Sequence, residues 1–449
     1  MRLDYTVKKK DIVQSVTTAF LPRKVLIPLN QESGVFCAPL VKPGDVVQEG
    51  QVIAEDYANS ESKKIHASIP GVVQGIAKRP EYDGRSGDAI EIKLSGRFSH
   101  TGKNAKVYDW RSWGGPSILN RINALGVVNA FSMRKARSLS ADIKAAMKFS
   151  DTRVFVRLYD EDPSCQTDST LAKSCFEKIL AGVEILKEIM NPGEVVYVHD
   201  KNDAQVQVKF IGLKDDKTNL FLPMDTKNYP CGKESSIAAR FKKVFKRPES
   251  EKSLIQSSLF VDATTLSIFS DALVYNMPVE RVYVYVSGDC LKSSAVLKVC
   301  VGGSFGSLAK QLGLEQKKIG KIVVNGLLRG FSVPSLDTPV SKSVKSVAFI
   351  SKGDIADYSS AICIGCGSCR ASCPAKIYPD IIYKHVVKSI KTPQDFIRSS
   401  LLCIECGVCD SVCPTKLPLS EIVKILKDKQ NVQKGINSSV HRLYKVNLP

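Results

Sequence analysis

The spacing Cys-x2-Cys-x2-Cys-x3-Cys-Pro occurs twice near the C-terminus. It reads Cys363, Cys366, Cys369, Cys373-Pro374 and, in register, Cys403, Cys406, Cys409, Cys413-Pro414. Eight of the fourteen cysteines sit in these two runs. Three thiolates spaced by two residues wrap one iron-sulfur cube, while a fourth, placed three residues on and before a proline, ligates the neighbouring cluster. The duplicated pattern therefore predicts two 4Fe-4S clusters. One is assigned to Cys363, Cys366, Cys369 and Cys413, the other to Cys403, Cys406, Cys409 and Cys373. Structural zinc also uses CxxC pairs, but it needs only four ligands and has no use for the remaining spacing or the proline.

The residues between and after the motifs agree with a helical module. Ile377, Ile381, Ile382, Val386 and Ile390 recur at helical spacing, and Thr392-Pro393-Gln394-Asp395 reads as an N-cap followed by proline at the first helical position. Ser420-Glu421 opens a further helix carrying Ile422, Ile425 and Leu426. At 449 residues and 43% apolar content the chain is long enough for several domains with cores. No apolar run approaches the ~20 residues of a membrane span, and Lys8-Lys9-Lys10-Asp11 precludes an apolar signal core there. The expectation is a soluble cytoplasmic chain. Reserved thiolates fit a reducing compartment, with Cys37, Cys165, Cys175, Cys231, Cys290 and Cys300 dispersed as ordinary thiols. The net charge of +19, from 64 basic and 45 acidic residues, has one local cluster at Arg240, Lys242, Lys243, Lys246 and Arg247. No nucleic-acid fold or aromatic-interleaved groove accompanies it, so an acidic ferredoxin or an anionic membrane surface is the expected counterpart, and a solvated basic face the alternative.

Upstream, residues 23–93 read as short strands punctuated by glycine and proline, including Val25–Leu29, Pro39–Val47, Gly50–Ala54 and Ile65–Val73. The stretch VKPGDVVxxGQVIAE followed by AxIPGVV looks like a biotinyl/lipoyl-type barrel sandwich. Lys63-Lys64 stands near the carrier-lysine position but lacks the usual flanks, so a structural barrel is expected. Between 108 and 247 the pattern alternates. A strand at Arg153–Leu158 precedes a helix face of Leu171, Cys175, Ile179, Val183, Leu186 and Ile189 ending at Asn191-Pro192-Gly193, and a second strand runs from Glu194 to Val198. This is a βαβ unit and implies a parallel sheet. A basic linker, Lys246–Lys252, is expected to separate it from a smaller unit with strands at Val282–Val286 and Ile322–Val324 and a helix at Ser307–Leu312. Val301–Gly306 joins strand to helix as a tight turn and fails GxGxxG.

With these parts in order, residues 20–430 resemble the RnfC family, the C subunits of the Rnf electron-transport complex, which is the ion-translocating ferredoxin:NAD oxidoreductase of bacterial membranes. Tyr229-Pro230-Cys231-Gly232-Lys233-Glu234 is similar to the family's YPxGxE, and Gly330–Val340 to its GFxxPSLDxPV. The resemblance implies a multidomain α/β plus α+β protein. Its parts are a barrel-sandwich domain at 1–107, a Rossmann-like flavin/NADH-type domain at 108–250, a β-grasp, SLBB-like domain at 258–345, the two-cluster ferredoxin module at 354–430 and a tail at 431–449. It further implies an oxidoreductase subunit on the cytoplasmic face of the cell membrane, docked without spans onto membrane subunits, with soluble ferredoxin or NADH as electron partner. The alternatives are a soluble flavin and iron-sulfur reductase of the cobalamin-reductase type, although such proteins usually lack the full barrel, or a docking and relay subunit that has lost nucleotide binding.

One departure stands out. Where the family carries a glycine-rich loop close to GxGGAGFPT, this chain reads Asn129-Ala130-Phe131-Ser132-Met133-Arg134-Lys135. Glycines there let the backbone approach FMN and a dinucleotide. The family's acidic NxxECEPY stretch aligns with Arg157–Ser164, so the resemblance implies Asp160, Glu161 and Asp162, with Lys135 as an anion-binding side chain, for the flavin/NADH region. Read alone, Asp160–Asp162 is equally an ordinary solvated turn. Weak or absent FMN and NAD(H) binding is expected from the missing glycines.

Overall fold

The structure, a computed structural model, describes residues 13–33, 35–56, 63–132, 135–355 and 362–433. Lys8–Asp11, Met133, Arg134 and most of the 431–449 tail lie outside these residues. The chain divides into two compact units, Arg2–Gly353 and Asp354–Pro449.

The first unit begins with two facing sheets. In one, Lys24–Pro28, Ser86–Leu94, Gly71–Pro80 and Val46–Val47 pair antiparallel, and in the other Ala38–Pro39, Val52–Glu55 and Lys64–His66 do the same. Val25 and Ile27 on one strand and Ile90 and Ile92 on its partner are fully buried and form part of the barrel's core. Lys63, close to the carrier-lysine position, turns inward and forms an ion pair with Glu32. Val16–Thr18 leaves this barrel and pairs parallel with Ala295–Cys300 in the third sheet.

Next comes a four-stranded parallel sheet in the order Asn219–Met224, Glu194–Asp200, Arg153–Arg157, Ser258–Asp262. Every residue of Arg153–Arg157 and Ser258–Asp262 is buried, because helices cover both faces and leave neither side for polar alternation. Phe176–Met190 and Ala263–Val274 pack on one face, and Glu234–Phe245 on the other, where Phe155 stacks on Phe260 at 4.7 Å and meets Phe241 edge-on at 5.1 Å. The fold departs from the sequence pattern in two places. The 171–189 helix is two helices, Thr167–Ser174 and Phe176–Met190, broken at Cys175, whose φ of −126° leaves the helical region although no proline or glycine is present. Residues 246–252 do not end the domain, since Ser258–Asp262 returns to the same sheet beside Arg153–Arg157.

The third sheet has the order Val16–Thr18, Ala295–Cys300, Arg281–Ser287, Ser346–Ser351, Ile319–Val324, Phe331–Val333. Arg281–Ser287 and Ala295–Cys300 form an antiparallel hairpin, Ser346–Ser351 lies parallel to Arg281–Ser287, and the helix Phe305–Gln311, capped by Ser304, follows the hairpin.

The second unit is a helical repeat. Short helices Ser368–Ala371 and Val408–Ser411 follow the two CxxCxxC loops, and longer ones, Pro379–Val387 and Leu419–Gln433, follow the two Cys-Pro pairs. Between the repeats a helix runs over Gln394–Ser400, one residue later than the Thr392 cap implied, with Pro393 just outside it. Equivalent residues share the left-handed region: Gly367 and Gly407 both at φ 75°, Gly365 at 73° with Glu405 at 55°, and Lys376 at 52° with Lys416 at 56°. The residue after the third cysteine also grips the following long helix at the same place in each repeat. Arg370 forms a two-bonded ion pair with Asp380, and Asp410 accepts hydrogen bonds from the amide and hydroxyl of Ser420. No helix among the described residues is long and apolar enough to cross a membrane.

Phe155 is 0% exposed and holds both ring contacts on its face of the parallel sheet. Phe155→Ala is expected to cost about 3–5 kcal/mol, while Phe155→Leu, which keeps most of the volume, costs less. Thermal unfolding followed by circular dichroism checks the order of the two midpoints.

Candidate functional sites: two cysteine-lined cavities and a filled sheet crevice

Each CxxCxxC loop wraps a cavity because its left-handed residues turn the chain tightly between successive cysteines. One cavity is lined by Cys363, Cys366, Cys369 and Cys413, with Ile364, Leu417 and Leu419. The other is lined by Cys373, Cys403, Cys406 and Cys409, with Ile377, Pro379 and Val423. The Cys-Pro sulfur of each motif thus faces the cavity of the other motif. Cys409 also packs against the Cys369, Cys413, Leu417 and Leu419 group beside the first cavity.

Burial raises the Cys409 thiol far above its ordinary value, and Asp410, Cys406, Cys403 and Cys373 push it the same way. Burial likewise raises Cys403, with Cys373 among the contributors, and Cys369, with Asp380 and Cys363 contributing. Cys366, at the open edge, moves down because the hydroxyl and amide of Ser368 face its sulfur. Converging thiols that resist ionisation one by one are deprotonated when a metal takes the charge. The donor set of four sulfurs per cavity, ringed by apolar side chains, fits an iron-sulfur cube.

The parallel sheet has its topological switch between Arg153–Arg157 and Ser258–Asp262, since the chain moves outward in one direction through the next two strands and then returns to the other side. Open α/β sheets bind ligands beyond the carboxyl ends of the strands at such a point. Here that crevice holds the chain's own side chains. Arg157, fully buried at the end of its strand, donates to the Gly232 carbonyl at 2.6 Å and the Phe131 carbonyl at 2.9 Å. Its guanidinium lies over the Phe131 ring at 4.1 Å and 3.4 Å from Asp262, the last residue of the neighbouring strand. Asp168 is 3.7 Å away and Glu161 3.9 Å. Lys345 pairs with both Asp168 and Asp262, and Arg329 with Glu161. Three buried cations thus meet three buried carboxylates. Burial and the neighbouring Asp262 raise Asp168 to about 6. At Asp262 Lys345 and Arg157 outweigh burial and hold the carboxyl below its ordinary range.

The residues expected for the flavin/NADH region all have internal partners. Asp160 accepts from the amides of Asp168 and Ser169 and caps the Thr167–Ser174 helix. Glu161 belongs to the ion network above, and Asp162, fully buried, accepts from Ser164 and the Leu328 amide. They are not a solvated turn. Lys135 lies apart from the three acidic residues, and its Nζ donates to Asn30 of the barrel at 2.9 Å. In the loop that replaces the glycines, Asn129 donates to Asp142 and the Phe260 carbonyl, and the Ala130 amide donates to Thr265. Gly232, from the YPCGKE landmark, is required where it stands, since a Cβ there would lie 2.8 Å from the Glu161 Cα. Arg157, Asp168, Asp262 and Lys345 were missed in the sequence. For Arg157 and Asp262 the signal was a charged residue closing each of two apolar strands, RVFVR and SLFVD.

Comparison with known proteins bears on both units. Residues 5–97 match the RnfC barrel sandwich hybrid domain, and residues 362–417 match a 4Fe-4S dicluster domain. Over 390 residues the chain is 24% identical to the C subunit of the proton-translocating ferredoxin:NAD(+) oxidoreductase complex of Clostridium ljungdahlii, covering 84% of this chain and 81% of that protein. It is 23% identical over 381 residues to the C subunit of the ion-translocating oxidoreductase complex of Vibrio cholerae, covering 83% of this chain and 48% of the relative, and so spans about half of that protein's length. Among solved structures, an NAD+-reducing NiFe hydrogenase in the H2-reduced state superposes with a TM-score of 0.49 at 12% identity, covering 73% of this chain and 64% of the other. The chain is therefore similar, over most of its length, to the C subunits of ion-translocating oxidoreductase complexes, and it carries matches to the RnfC barrel sandwich hybrid domain and to a 4Fe-4S dicluster domain.

Proposed function

We propose that this chain is the electron-transfer C subunit of an Rnf-type ion-translocating ferredoxin:NAD oxidoreductase complex. In this reading it is a peripheral protein on the cytoplasmic face of the cell membrane, and electrons pass between a soluble carrier and membrane-bound partner subunits. The observation that carries the reading is the pair of cavities, each lined by three cysteines of one motif and the fourth of the other. Cys363, Cys366, Cys369 and Cys413 hold one 4Fe-4S cluster, and Cys403, Cys406, Cys409 and Cys373 the second. Bound clusters supply one-electron chemistry, which needs no acid or base from the protein. The chain's own part is to fix the sulfurs, exclude water with Leu417, Leu419, Ile377 and Val423, and keep both sites in one small helical unit.

For the first unit we read the parallel sheet as Rossmann-like and the third sheet, with its hairpin, helix and parallel central strand, as β-grasp of the SLBB type. The buried Arg157 network at the switch point and the Phe131 ring take the space that a flavin and a dinucleotide need. We therefore assign no step of the electron path to FMN or NADH bound on this chain. Asp160, Glu161, Asp162 and Lys135 serve as internal ties in this reading.

Two outcomes test it. Anaerobically isolated protein is expected to hold about eight iron and eight sulfide per chain. Cys413→Ser should damage the cluster on the first motif, and Cys373→Ser the cluster on the second, as read by iron content and the electron paramagnetic resonance (EPR) of the reduced protein. Loss of the cluster on the mutated motif's own loop would reverse the pairing. In the second test, the protein is titrated with FMN and then NADH. Flavin fluorescence is expected to remain that of free FMN and NADH to leave the clusters oxidised, while a reduced ferredoxin bleaches them. Stoichiometric flavin uptake with bleaching by NADH would overturn the filled-crevice reading.

A further inference from the structure

Away from the cysteine motifs, three side chains of the kind that bind metals converge inside the first unit. Glu49 precedes the second barrel sheet's Val52–Glu55 strand, His100 follows the last barrel strand, and Glu280 precedes the Arg281–Ser287 strand. One ligand atom from each lies within 4.8 Å of the other two. Both carboxyl groups are withdrawn from water, Glu49 at 3% and Glu280 at 5% exposure. Two buried carboxylates in contact repel each other unless a proton or a cation stands between them. The Arg281 charge opposes the rise that burial and Glu49 impose on Glu280, while its guanidinium donates to Thr101 Oγ1 at 2.7 Å.

The surroundings are those of a built site. Glu49 is aimed by the His100 amide, 2.6 Å from Oε2, by the Thr101 amide at 3.1 Å, and by the Thr101 hydroxyl on Oε1. His100 Nδ1 lies 3.1 Å from Glu280 Oε1. Position 50 admits glycine alone: its φ is 79°, and a Cβ there would stand 2.8 Å from Glu280 Oε1 and 2.9 Å from His100 Cε1. An open cavity of about 340 Å³ has His100, Thr101, Glu280 and Arg281 in its wall, which gives solvent a way to the same point. An imidazole and two carboxylates, with no thiolate, form a donor set for first-row divalent ions, and three protein ligands leave a position for water. Hydrogen bonds that fix a ligating carboxylate are the usual second layer of such sites.

We propose that Glu49, His100 and Glu280 bind one divalent first-row transition metal ion, with its remaining coordination open to the cavity. The ion ties the barrel to the strand that opens the third sheet. It is independent of the iron-sulfur clusters and of the electron-transfer reading.

The test uses the full-length protein with its clusters assembled and oxidised, and Mn2+ as the probe, because manganese prefers oxygen and nitrogen donors to the cluster thiolates. Loss of the free Mn2+ EPR signal during titration is expected to show one bound ion per chain, displaced one for one by Zn2+. Glu280→Gln and His100→Gln should each weaken binding about tenfold or more, with iron content and circular dichroism unchanged. If Glu280→Gln fails to fold, His100→Gln carries the test, since that side chain is 33% exposed. Failure of the wild-type protein to take up one Mn2+, or uptake that His100→Gln leaves unaltered, overturns the proposal.

Discussion

Arg157 sets the arrangement of the first unit. A guanidinium that is 0% exposed is tolerable only when its charge and its donors are met at once. Here they are met from several stretches of chain: the Phe131 and Gly232 carbonyls, Asp262 on the adjacent strand, Asp168 on the following helix and Glu161 on the loop between. Lys345, from the segment leading into the last strand of the third sheet, completes the charge balance and so locks that sheet onto the parallel one. The network acts less as a source of net stability than as a register device, because any sliding of one sheet against the other would strand a buried charge.

The second unit solves a different problem, holding sulfurs that repel one another as they ionise. Its answer is repetition with exchange. The two motifs fold alike, down to matching left-handed residues, and each sends its last cysteine across to the other's cavity. The repeat is not a copy in its chemistry. Arg370 with Asp380 becomes Asp410 with Ser420, and Gly365 becomes Glu405, whose carboxylate accepts from Lys427 at 2.9 Å. A non-glycine residue in the left-handed region costs of order 1 kcal/mol, and this side-chain anchor helps hold it there. The environments of the two cavities differ accordingly, which is the means by which a protein gives two clusters different potentials.

What the sequence disclosed follows the range of the interactions. The cysteine spacing, the βαβ alternation and the barrel's short strands are local patterns and were readable. Ser258–Asp262 was not, because its sheet partner lies a hundred residues upstream and the basic stretch before it looks like a linker. Val16–Thr18 pairs with Val296–Lys298, a contact no periodicity reports. The acidic run Asp160–Asp162 was legible as special, but its role depends on Arg329, Leu328 and the helix after it, all outside the local pattern. Glu49 and Glu280 are separated by more than half the chain and carry no motif.

The loop at Asn129–Lys135 gains a physical meaning from its partner. A glycine-rich loop offers backbone amides and space, and an arginine at position 157 beneath such a loop would lack the ring face and the fixed carbonyl it now uses. Conversely, Phe131 without a cation below it would lie against buried carboxylates, an arrangement the negative face of an aromatic ring disfavours. In this chain Phe131 and the buried arginine therefore depend on each other. Together they fill the crevice beyond the strand ends with the chain's own side chains. On the proposed reading the first unit contributes rigidity to the complex, and the electron path is confined to the eight cysteines of the second.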